Sequence, residues 1–199
     1  YQRGVGLLDS ASVQIRWEAH LPDTAIGWNT FGATVWDVDL DGTPEVLTAY
    51  NGNGHQSSKL VVMDGLTGII EWIWTTPGLY IFDLTPPVAD LDMDGHPEII
   101  VANQGHTGGI DPVRVYAIDG VTRQVDWTCD ITNNSGFSGS NGTPIIADAD
   151  GDGRLEVLMS ATVGGNSYYY TLWCINGEDG SVEWKRDSVC WAKLLACGD

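Results

Sequence analysis

Basic residues are scarce in this sequence, and long apolar stretches are missing from it. Of 199 residues only 9 are Lys or Arg, against 27 Asp or Glu, which gives a formal net charge of −18. Nucleic acids and anionic membranes are bound through clustered Lys and Arg, so neither is expected as a partner. No apolar run approaches the ~20 residues that cross a bilayer, and no leader-like segment opens the sequence, so membrane insertion is not expected. An apolar fraction of 43% is too high for a disordered chain, which leaves an acidic globular protein.

Sequence motifs of common enzymes are also missing. The sequence contains no Gly-x-Ser-x-Gly, His-Glu-x-x-His, phosphate-binding Gly loop or Cys–His pairing. Its four Cys form no C-x-x-C pair, which argues against a zinc site or a thioredoxin-like site. Many of the acidic residues that general acid–base catalysis could use belong instead to a repeated loop. The sequence therefore predicts a protein that is not an enzyme.

The acidic residues concentrate in a nine-residue pattern that occurs three times without gaps, with starts 53 and 58 residues apart. Each copy has Asp at positions 1, 3 and 5, Gly at position 6 and Glu at position 9, and an apolar run follows it. The three acidic loops are Asp37-Val-Asp-Leu-Asp-Gly-Thr-Pro-Glu45 (loop 1), Asp90-Leu-Asp-Met-Asp-Gly-His-Pro-Glu98 (loop 2) and Asp148-Ala-Asp-Gly-Asp-Gly-Arg-Leu-Glu156 (loop 3). Self-similarity of this kind indicates a repeat architecture.

A second element recurs with the same period. An apolar run and an Asp or Asn turn lead to a Trp four times, and the Trp residues are spaced by 55, 55 and 57 positions. These residues are Trp17, Trp72, Trp127 and Trp184. The repeating unit is therefore about 55 residues long and occurs between three and four times. We expect each Trp to pack between neighbouring units.

Each unit contains four short runs rich in Val, Ile, Thr, Trp and Tyr, separated by Asp-Gly, Asn-Gly or Gly-rich turns. Four-stranded units repeated radially are typical of a β-propeller. We therefore predict an all-β fold of β-propeller blades, each with four antiparallel strands, in about three and a half repeats that form a partial propeller or an open array. The predicted division is a half blade at residues 1–20, blades at 21–77, 78–132 and 133–187, and a C-terminal tail at 188–199.

The acidic loops are predicted to bind calcium. Calcium takes six to eight oxygen ligands at 2.3–2.6 Å, and Gly at position 6 allows the sharp turn that gathers the carboxylates, as in an EF-hand loop. An EF-hand, however, has its Glu at position 12 and helices on both sides. About three Ca²⁺ ions are expected, which would change the charge from −18 to −12, and the alternative is a set of solvated acidic turns. The predicted ligands are Asp37, Asp39, Asp41, Thr43, Glu45, Asp90, Asp92, Asp94, His96, Glu98, Asp148, Asp150, Asp152, Arg154 and Glu156, with Thr43, His96 and Arg154 binding through the backbone carbonyl.

The loops and their setting resemble FG-GAP or VCBS-type repeats, the calcium-binding propeller repeats of integrin α-subunits and many secreted microbial proteins. Phe31-Gly32 precedes loop 1, and Pro87-Val88-Ala89 and Pro144-Ile145-Ile146-Ala147 lead into loops 2 and 3. The hairpins 64–68 and 176–180 also resemble the blades of quinoprotein-type propellers. One departure is Glu at position 9, where the integrin-type pattern usually has Asp. The resemblance implies an extracellular or cell-surface, non-enzymatic module for adhesion, ligand recognition or structural assembly. Some calcium-dependent polysaccharide lyases have similar loops, so a carbohydrate-active enzyme is the alternative.

Propellers of this family usually have seven or eight blades, more than this sequence can supply. Three completions are open: a fragment of a larger propeller, a four-bladed ring closed by the tail 188–199, or an array whose half blade a neighbouring chain completes. We rank the fragment and the intermolecular array first, because the tail supplies at most one strand. An array that does not close would build a filament. The expected partners are therefore a protein or glycan ligand, or copies of the chain itself.

The cysteines and two Asn residues carry predictions that follow from an extracellular location. Disulfides persist outside the cell. Cys190 and Cys197 bracket a short segment of the tail and could pair, which would leave Cys129 and Cys174 as the second pair, although four Cys allow three connectivities and free thiols are the alternative. Asn133 and Asn141 begin N-x-Ser/Thr sequons, so both are candidate glycosylation sites.

Overall fold

The computed structural model describes residues 4–9, 14–21, 32–51, 58–76, 85–103, 113–131, 139–140, 143–162 and 170–189. These residues form fifteen β-strands and no helix, so this part of the chain holds no helix with the length and apolar character needed to cross a membrane. In chain order the strands are β1 (Gly4–Leu8), β2 (Ile15–His20), β3 (Ala33–Trp36), β4 (Glu45–Asn51), β5 (Ser58–Asp64), β6 (Ile70–Thr75), β7 (Val88–Ala89), β8 (Glu98–Ala102), β9 (Arg114–Asp119), β10 (Val125–Asp130), β11 (Gly139–Ser140), β12 (Ile145–Ala147), β13 (Glu156–Thr162), β14 (Tyr170–Asn176) and β15 (Val182–Val189).

The strands form four antiparallel sheets, called blades 1 to 4 in chain order. Blade 1 is the hairpin β1–β2, blade 2 has the order β3-β4-β5-β6, and blade 3 has the order β7-β8-β9-β10. Blade 4 has the order β11-β13-β14-β15, and β12 pairs with the first residues of β13 while β11 pairs with its last residues. The predicted all-β fold of four-stranded antiparallel blades is confirmed, with a fifth short strand in blade 4. In the described residues no strand pairing joins blade 1 to blade 4, so the arrangement is open.

The central strands are apolar on both faces because both faces are covered. All five residues of β8 are buried, including Ile99, Ile100 and Val101, and β5 is buried over most of its length. Alternating burial would be expected if one face met water. The larger apolar core runs through blades 2, 3 and 4, and a smaller core joins blade 1 to blade 2. Stacking of the blades on one another therefore supplies the core of the protein.

Two of the repeated Trp residues connect consecutive blades in the same way. The indole Nε1–H of Trp17 donates to the carbonyl of Gly65 in the β5–β6 turn at 3.0 Å, and that of Trp127 donates to Gly177 in the β14–β15 turn at 2.8 Å. Both rings are buried, with 9% and 8% of their surface exposed. Trp184 of the last blade is 40% exposed. The prediction that the Trp residues pack between blades thus holds most fully for Trp17 and Trp127, while Trp72 packs against the larger core with its ring only partly buried.

Each of these Trp rings lies against a glycine of the turn that it contacts. Gly180 has a φ of +73°, and a Cβ placed on it would lie 2.5 Å from the Trp127 ring. Gly68 meets Trp17 with the same 2.5 Å separation and a φ of +72°. The turn therefore needs a residue that accepts the left-handed conformation and has no side chain to displace the indole.

The predicted pairing of Cys129 with Cys174 is wrong, because both residues are free thiols in the structure. Cys129 lies on β10 of blade 3 and Cys174 on β14 of blade 4, so each is enclosed in the packing of its own sheet. Burial raises the pKa of Cys129 to about 11 and that of Cys174 to about 12, which keeps both thiols protonated. Cys190, Cys197, Asn133 and Asn141 lie outside the described residues, so the other pairing and both sequons stay predictions.

The contact between Gly180 and Trp127 predicts that Gly180→Ala destabilises the protein more than Gly151→Ala. Both glycines have positive φ, but a Cβ on Gly151 would meet nothing within 4 Å. The difference between the two variants therefore isolates the clash with the indole, which we expect to lower the free energy of unfolding by about 1–3 kcal/mol. Urea unfolding of both variants in excess EDTA measures this difference. Equal destabilisation by Gly180→Ala and Gly151→Ala would contradict close packing of the Trp127 ring against Gly180.

Candidate metal centres

Each acidic loop connects two paired antiparallel strands of its blade: β3 to β4 for loop 1, β7 to β8 for loop 2 and β12 to β13 for loop 3. In all three loops the Asp at position 3 accepts a hydrogen bond from the backbone N–H at position 5, at 3.2, 3.1 and 3.0 Å. The Asp at position 5 likewise accepts from the N–H at position 7, at 2.7, 2.7 and 2.8 Å. Asp favours turns because its side chain bonds the backbone two residues on, so the local sequence folds each loop.

A glycine then wraps the loop around its first carboxylate. The Gly at position 6 has φ values of 93°, 94° and 90° in the three loops, a region that only glycine enters freely. Its N–H donates to Oδ2 of the Asp at position 1, at 3.1, 3.1 and 3.0 Å. The chain therefore curls so that the carboxylates at positions 1 and 3 face a common centre in all three loops, joined by position 5 in loops 1 and 2.

The glutamate at position 9 closes each loop from the start of the following strand. Its Oε2 accepts a hydrogen bond from the backbone N–H at position 2, at 2.7, 2.6 and 2.6 Å in loops 1, 2 and 3. These residues, Glu45, Glu98 and Glu156, are buried, and Glu45 has no exposed surface at all. The hydrogen bond to position 2 uses Oε2 of each glutamate, so Oε1 is not engaged by this interaction.

The carboxylates converge in each loop, although the three sets differ. In loop 1, Asp37, Asp39, Asp41 and Glu45 each place one oxygen so that all four atoms lie within 4.8 Å of one another. The corresponding groups are Asp90, Asp92 and Asp94 in loop 2, and Asp148, Asp150 and Glu156 in loop 3. Glu98 and Asp152, also predicted as ligands, fall outside these groups. The predicted carbonyl ligands of Thr43, His96 and Arg154 stay predictions.

The ring of His96 makes contacts that the sequence pattern did not indicate. Its Nδ1 lies 3.1 Å from Oδ2 of Asp119, which is at the start of the β9–β10 turn, and 3.9 Å from Oδ2 of Asp94. The hydrogen bond to Asp119 raises the pKa of His96. If His96 bound a metal ion through its backbone carbonyl, as predicted, its ring could keep the hydrogen bond to Asp119.

Burial and mutual repulsion make these carboxylates costly to ionise in the metal-free chain. Burial raises the pKa of Glu45 to about 7, and the charges of Asp39, Glu71 and Asp37 add to the effect. Burial likewise raises the pKa of Glu98 to about 7, with added repulsion from Asp92, Asp126 and Asp90.

Three buried oxygens in the loops have no hydrogen-bond partner: Oδ1 of Asp37, Oε1 of Glu45 and Oδ1 of Asp90. Buried polar atoms are almost always paired in folded proteins, so these three atoms call for a partner of another kind. All three belong to groups of like charge that repel at short range. A hard divalent cation, which binds carboxylate oxygens, would satisfy both requirements. The residues therefore fit a metal ion in donor type and in geometry.

A further set of acidic residues faces the loops and was missed in the sequence. Glu71, Asp126 and Glu183 stand directly before the repeated Trp in blades 2, 3 and 4. Burial raises the pKa of Glu71, and the charges of Asp39, Asp64 and Asp41 raise it further. The pKa of Asp126 is likewise raised by burial and by the charges of Asp119 and Asp92. The sequence does show this pattern, because an acidic residue directly precedes the repeated Trp in these three units. In the first unit the residue before Trp17 is Arg16 instead.

Comparison with known proteins agrees with this repeat structure. Residues 90–159 match the model of the FG-GAP-like repeat, a segment that begins with loop 2 and contains loop 3. The fold is similar to that of the quinohemoprotein alcohol dehydrogenase ADHIIG from Pseudomonas putida HK5, with a TM-score of 0.57 and 13% identity. That similarity covers 92% of this chain and 31% of the dehydrogenase, and it concerns the fold. None of the curated proteins compared with the chain matches it. The expected FG-GAP resemblance is thus confirmed for part of the chain.

The pKa values of Glu45 and Glu98 predict that the metal-free protein loses stability as the pH rises from about 4.5 to about 7. In that range the folded chain holds protons that the unfolded chain has released, so the free energy of unfolding falls and then levels off above about pH 7. His96 acts in the same direction, because its raised pKa makes its contribution disappear as the pH rises. Carboxyls with lowered pKa, such as Asp64, titrate below this range. Urea unfolding in EDTA at about pH 5 and about pH 7.5 should differ by about 3 kcal/mol.

The control for this pH dependence is a matched pair of variants. Glu98→Gln keeps an acceptor for the N–H of Leu91 but cannot titrate, so it should reduce the pH dependence. Glu18→Gln alters an exposed side chain on β2 and should leave the dependence unchanged. A metal-free protein equally stable at both pH values would contradict the buried acidic loops.

Proposed function

We propose that the three acidic loops bind calcium and that the chain is a calcium-stabilised, non-enzymatic module of an extracellular protein. One observation carries the proposal. Glu45 is fully buried with Oε1 unpartnered, and the equally unpartnered Oδ1 of Asp37 belongs to the same convergent group. Burial of unpaired carboxylate oxygens is strongly unfavourable unless a cation compensates it.

Calcium suits these loops better than other metals. Every side chain in the three groups offers carboxylate oxygen, and none offers the thiolate or imidazole that transition metals prefer. Calcium accepts many oxygens in flexible geometry, whereas magnesium demands a near-ideal octahedron and keeps several of its waters. The four carboxylates that converge in loop 1 therefore suit calcium better than magnesium.

The position of the loops explains why an ion would stabilise the fold. The last residues of each loop accept a backbone hydrogen bond from the hairpin turn of the same blade: Gly65 N to Pro44 O at 3.0 Å, Gly120 N to Pro97 O at 2.9 Å and Gly177 N to Leu155 O at 3.0 Å. Loop 1 also touches the next blade, because a Cβ on Gly120 would lie 2.4 Å from the carbonyl of Val38. An ion that holds a loop therefore holds the contacts within and between blades.

The wider role that we propose is adhesion, ligand recognition or structural assembly outside the cell. The match of residues 90–159 to the FG-GAP-like repeat supports it. Protein or glycan ligands, or further copies of the chain, are the proposed partners. Size-exclusion chromatography and electron microscopy with calcium distinguish the two cases, since self-assembly gives species that grow with protein concentration.

A polysaccharide lyase remains the alternative function. The similarity to a dehydrogenase concerns the fold and spans 31% of that protein, so it lends no activity to this chain. Incubation with pectic and other acidic glycans in calcium, followed by detection of unsaturated products by ultraviolet absorbance, tests the alternative. Product formation that depends on protein concentration would replace the non-enzymatic proposal.

Calcium is expected to raise the melting temperature of the EDTA-treated protein. Binding to the folded state alone stabilises it by about 2.7 kcal/mol per site at a hundred times the dissociation constant. For a domain of this size that corresponds to a rise of about 5–10 °C per site. Differential scanning calorimetry across a calcium titration measures the rise.

Three comparisons make the calcium titration specific. Magnesium at equal concentration should give a smaller rise than calcium. Glu45→Gln removes one buried carboxylate of loop 1 and should reduce the rise, while the exposed Glu18→Gln should not. A melting curve that calcium leaves unchanged in the unmutated protein would overturn the proposed function.

A further inference from the structure

The junction between blades 2 and 3 departs from the pattern of the other two junctions. In the turns that receive Trp17 and Trp127, the residue against the indole is Gly68 or Gly180. The equivalent position in the β9–β10 turn is Arg123, which adopts a φ of +62° that glycine would adopt more easily. A residue with a large side chain and an unfavourable backbone conformation therefore stands where the repeat otherwise has glycine.

The Trp that faces Arg123 is seated differently from its counterparts. Trp72 of blade 2 is in the same repeat position as Trp17 and Trp127, yet its Nε1 is buried without a hydrogen-bond partner. The other two indoles donate to a turn carbonyl at 3.0 and 2.8 Å. Any Cβ at the glycine position would lie 2.5 Å from the ring in those junctions, so the side chain of Arg123 prevents the same seat.

Arg123 itself reaches across the junction towards loop 1. Its guanidinium carbon lies 5.8 Å from the centre of the Trp72 ring, within the range of a cation–π contact. Its Nη2 lies 3.9 Å from Oδ2 of Asp39, the carboxylate at position 3 of loop 1. A cation fixed on blade 3 is thus held beside the acidic group of blade 2.

Loop 2 has a differently placed neighbour: Arg154 of blade 4 lines the same pocket as Asp92, but its guanidinium pairs with Glu178. The turn residue of blade 4 that corresponds to Arg123 is Gly180, which has no side chain, and no Lys or Arg among the described residues pairs with Asp92. The two loops therefore have like carboxylates at positions 1, 3 and 5 but differ in the neighbouring cation: Arg123 pairs with Asp39 of loop 1, whereas the charge of Arg154 beside loop 2 is paired with Glu178.

From this difference we infer that Arg123 is a positioning residue that weakens calcium binding at loop 1 relative to loop 2 and ties the occupancy of loop 1 to the junction between blades 2 and 3. The inference rests on the proposed calcium function. The guanidinium competes with the ion for Asp39 and repels a doubly charged cation bound close to it. A single charge about 6 Å from the ion changes the affinity about threefold to tenfold when water screens the pair.

The charge is tested with Arg123→Gln, which keeps much of the side-chain length. Calorimetric titration with calcium should show an affinity about threefold to tenfold higher at one class of sites, and the gain should shrink as salt is added. Arg123→Lys, which keeps the charge, should bind like the unmutated protein. Arg16→Gln is the matched control, because it changes the net charge equally at an exposed position on β2.

A double-mutant cycle assigns the effect to loop 1. In the Glu45→Gln background loop 1 has lost a buried ligand, so Arg123→Gln should no longer raise calcium affinity. In the Glu98→Gln background, which alters loop 2, the gain should persist. A gain that survives Glu45→Gln, or an equal gain from Arg16→Gln, would overturn the inference.

A second variant separates the junction from the charge. Arg123→Gly restores the residue of the other two turns, so Trp72 should find a carbonyl partner, and the metal-free protein should melt at a higher temperature than the Arg123→Gln variant. If the unmutated protein binds calcium but neither variant changes its affinity, the inference alone fails. If the unmutated protein binds no calcium at all, the proposed function fails, and the inference falls with it.

Discussion

The burial of a carboxylate at the head of each second strand is the constraint that organises this protein. Glu45, Glu98 and Glu156 each use one oxygen to fix the backbone at loop position 2, and this anchors the start of the loop to the strand that follows it. The interaction places charge inside the protein, where it must be neutralised by protonation or by a cation. Loop shape, blade contacts and response to pH all follow from how that charge is compensated.

Contacts between blades rest on a second repeated element, an indole received by a turn. The turns that receive Trp17 and Trp127 hydrogen-bond to the ends of acidic loops in their own blades. Each of these two junctions therefore couples the Trp of one blade to the acidic loop of the next blade. This coupling explains why the loops and the Trp residues recur with nearly the same spacing in the sequence.

The sequence predicted the strands and the loops well because both depend on local chemistry. Asp turns, the Gly at position 6 and the apolar runs leave little choice of backbone at residues 37–45 and their two repeats. The sequence did not predict which carboxylates converge, as Glu98 and Asp152 show, because convergence depends on small differences of packing. The pairing of Cys129 with Cys174 failed for another reason, since counting cysteines ignores the blade in which each one lies. Arg123 was overlooked because its importance arises only where two blades meet.

The fourth position of the acidic loops has a consequence for how each copy responds to temperature. Leu40 and Met93 occupy left-handed backbone there, at φ of 62° and 63°, while loop 3 has Gly151. An L-residue in that conformation carries steric strain of about 1–2 kcal/mol, whereas glycine avoids the strain but surrenders more chain freedom on folding. Folding of loops 1 and 2 is thus opposed at position 4 mainly by an enthalpic cost, whereas folding of loop 3 is opposed there mainly by an entropic cost. A rise in temperature should therefore destabilise the folded conformation of loop 3 more steeply than those of loops 1 and 2, although all three loops have the same acidic residues at positions 1, 3, 5 and 9.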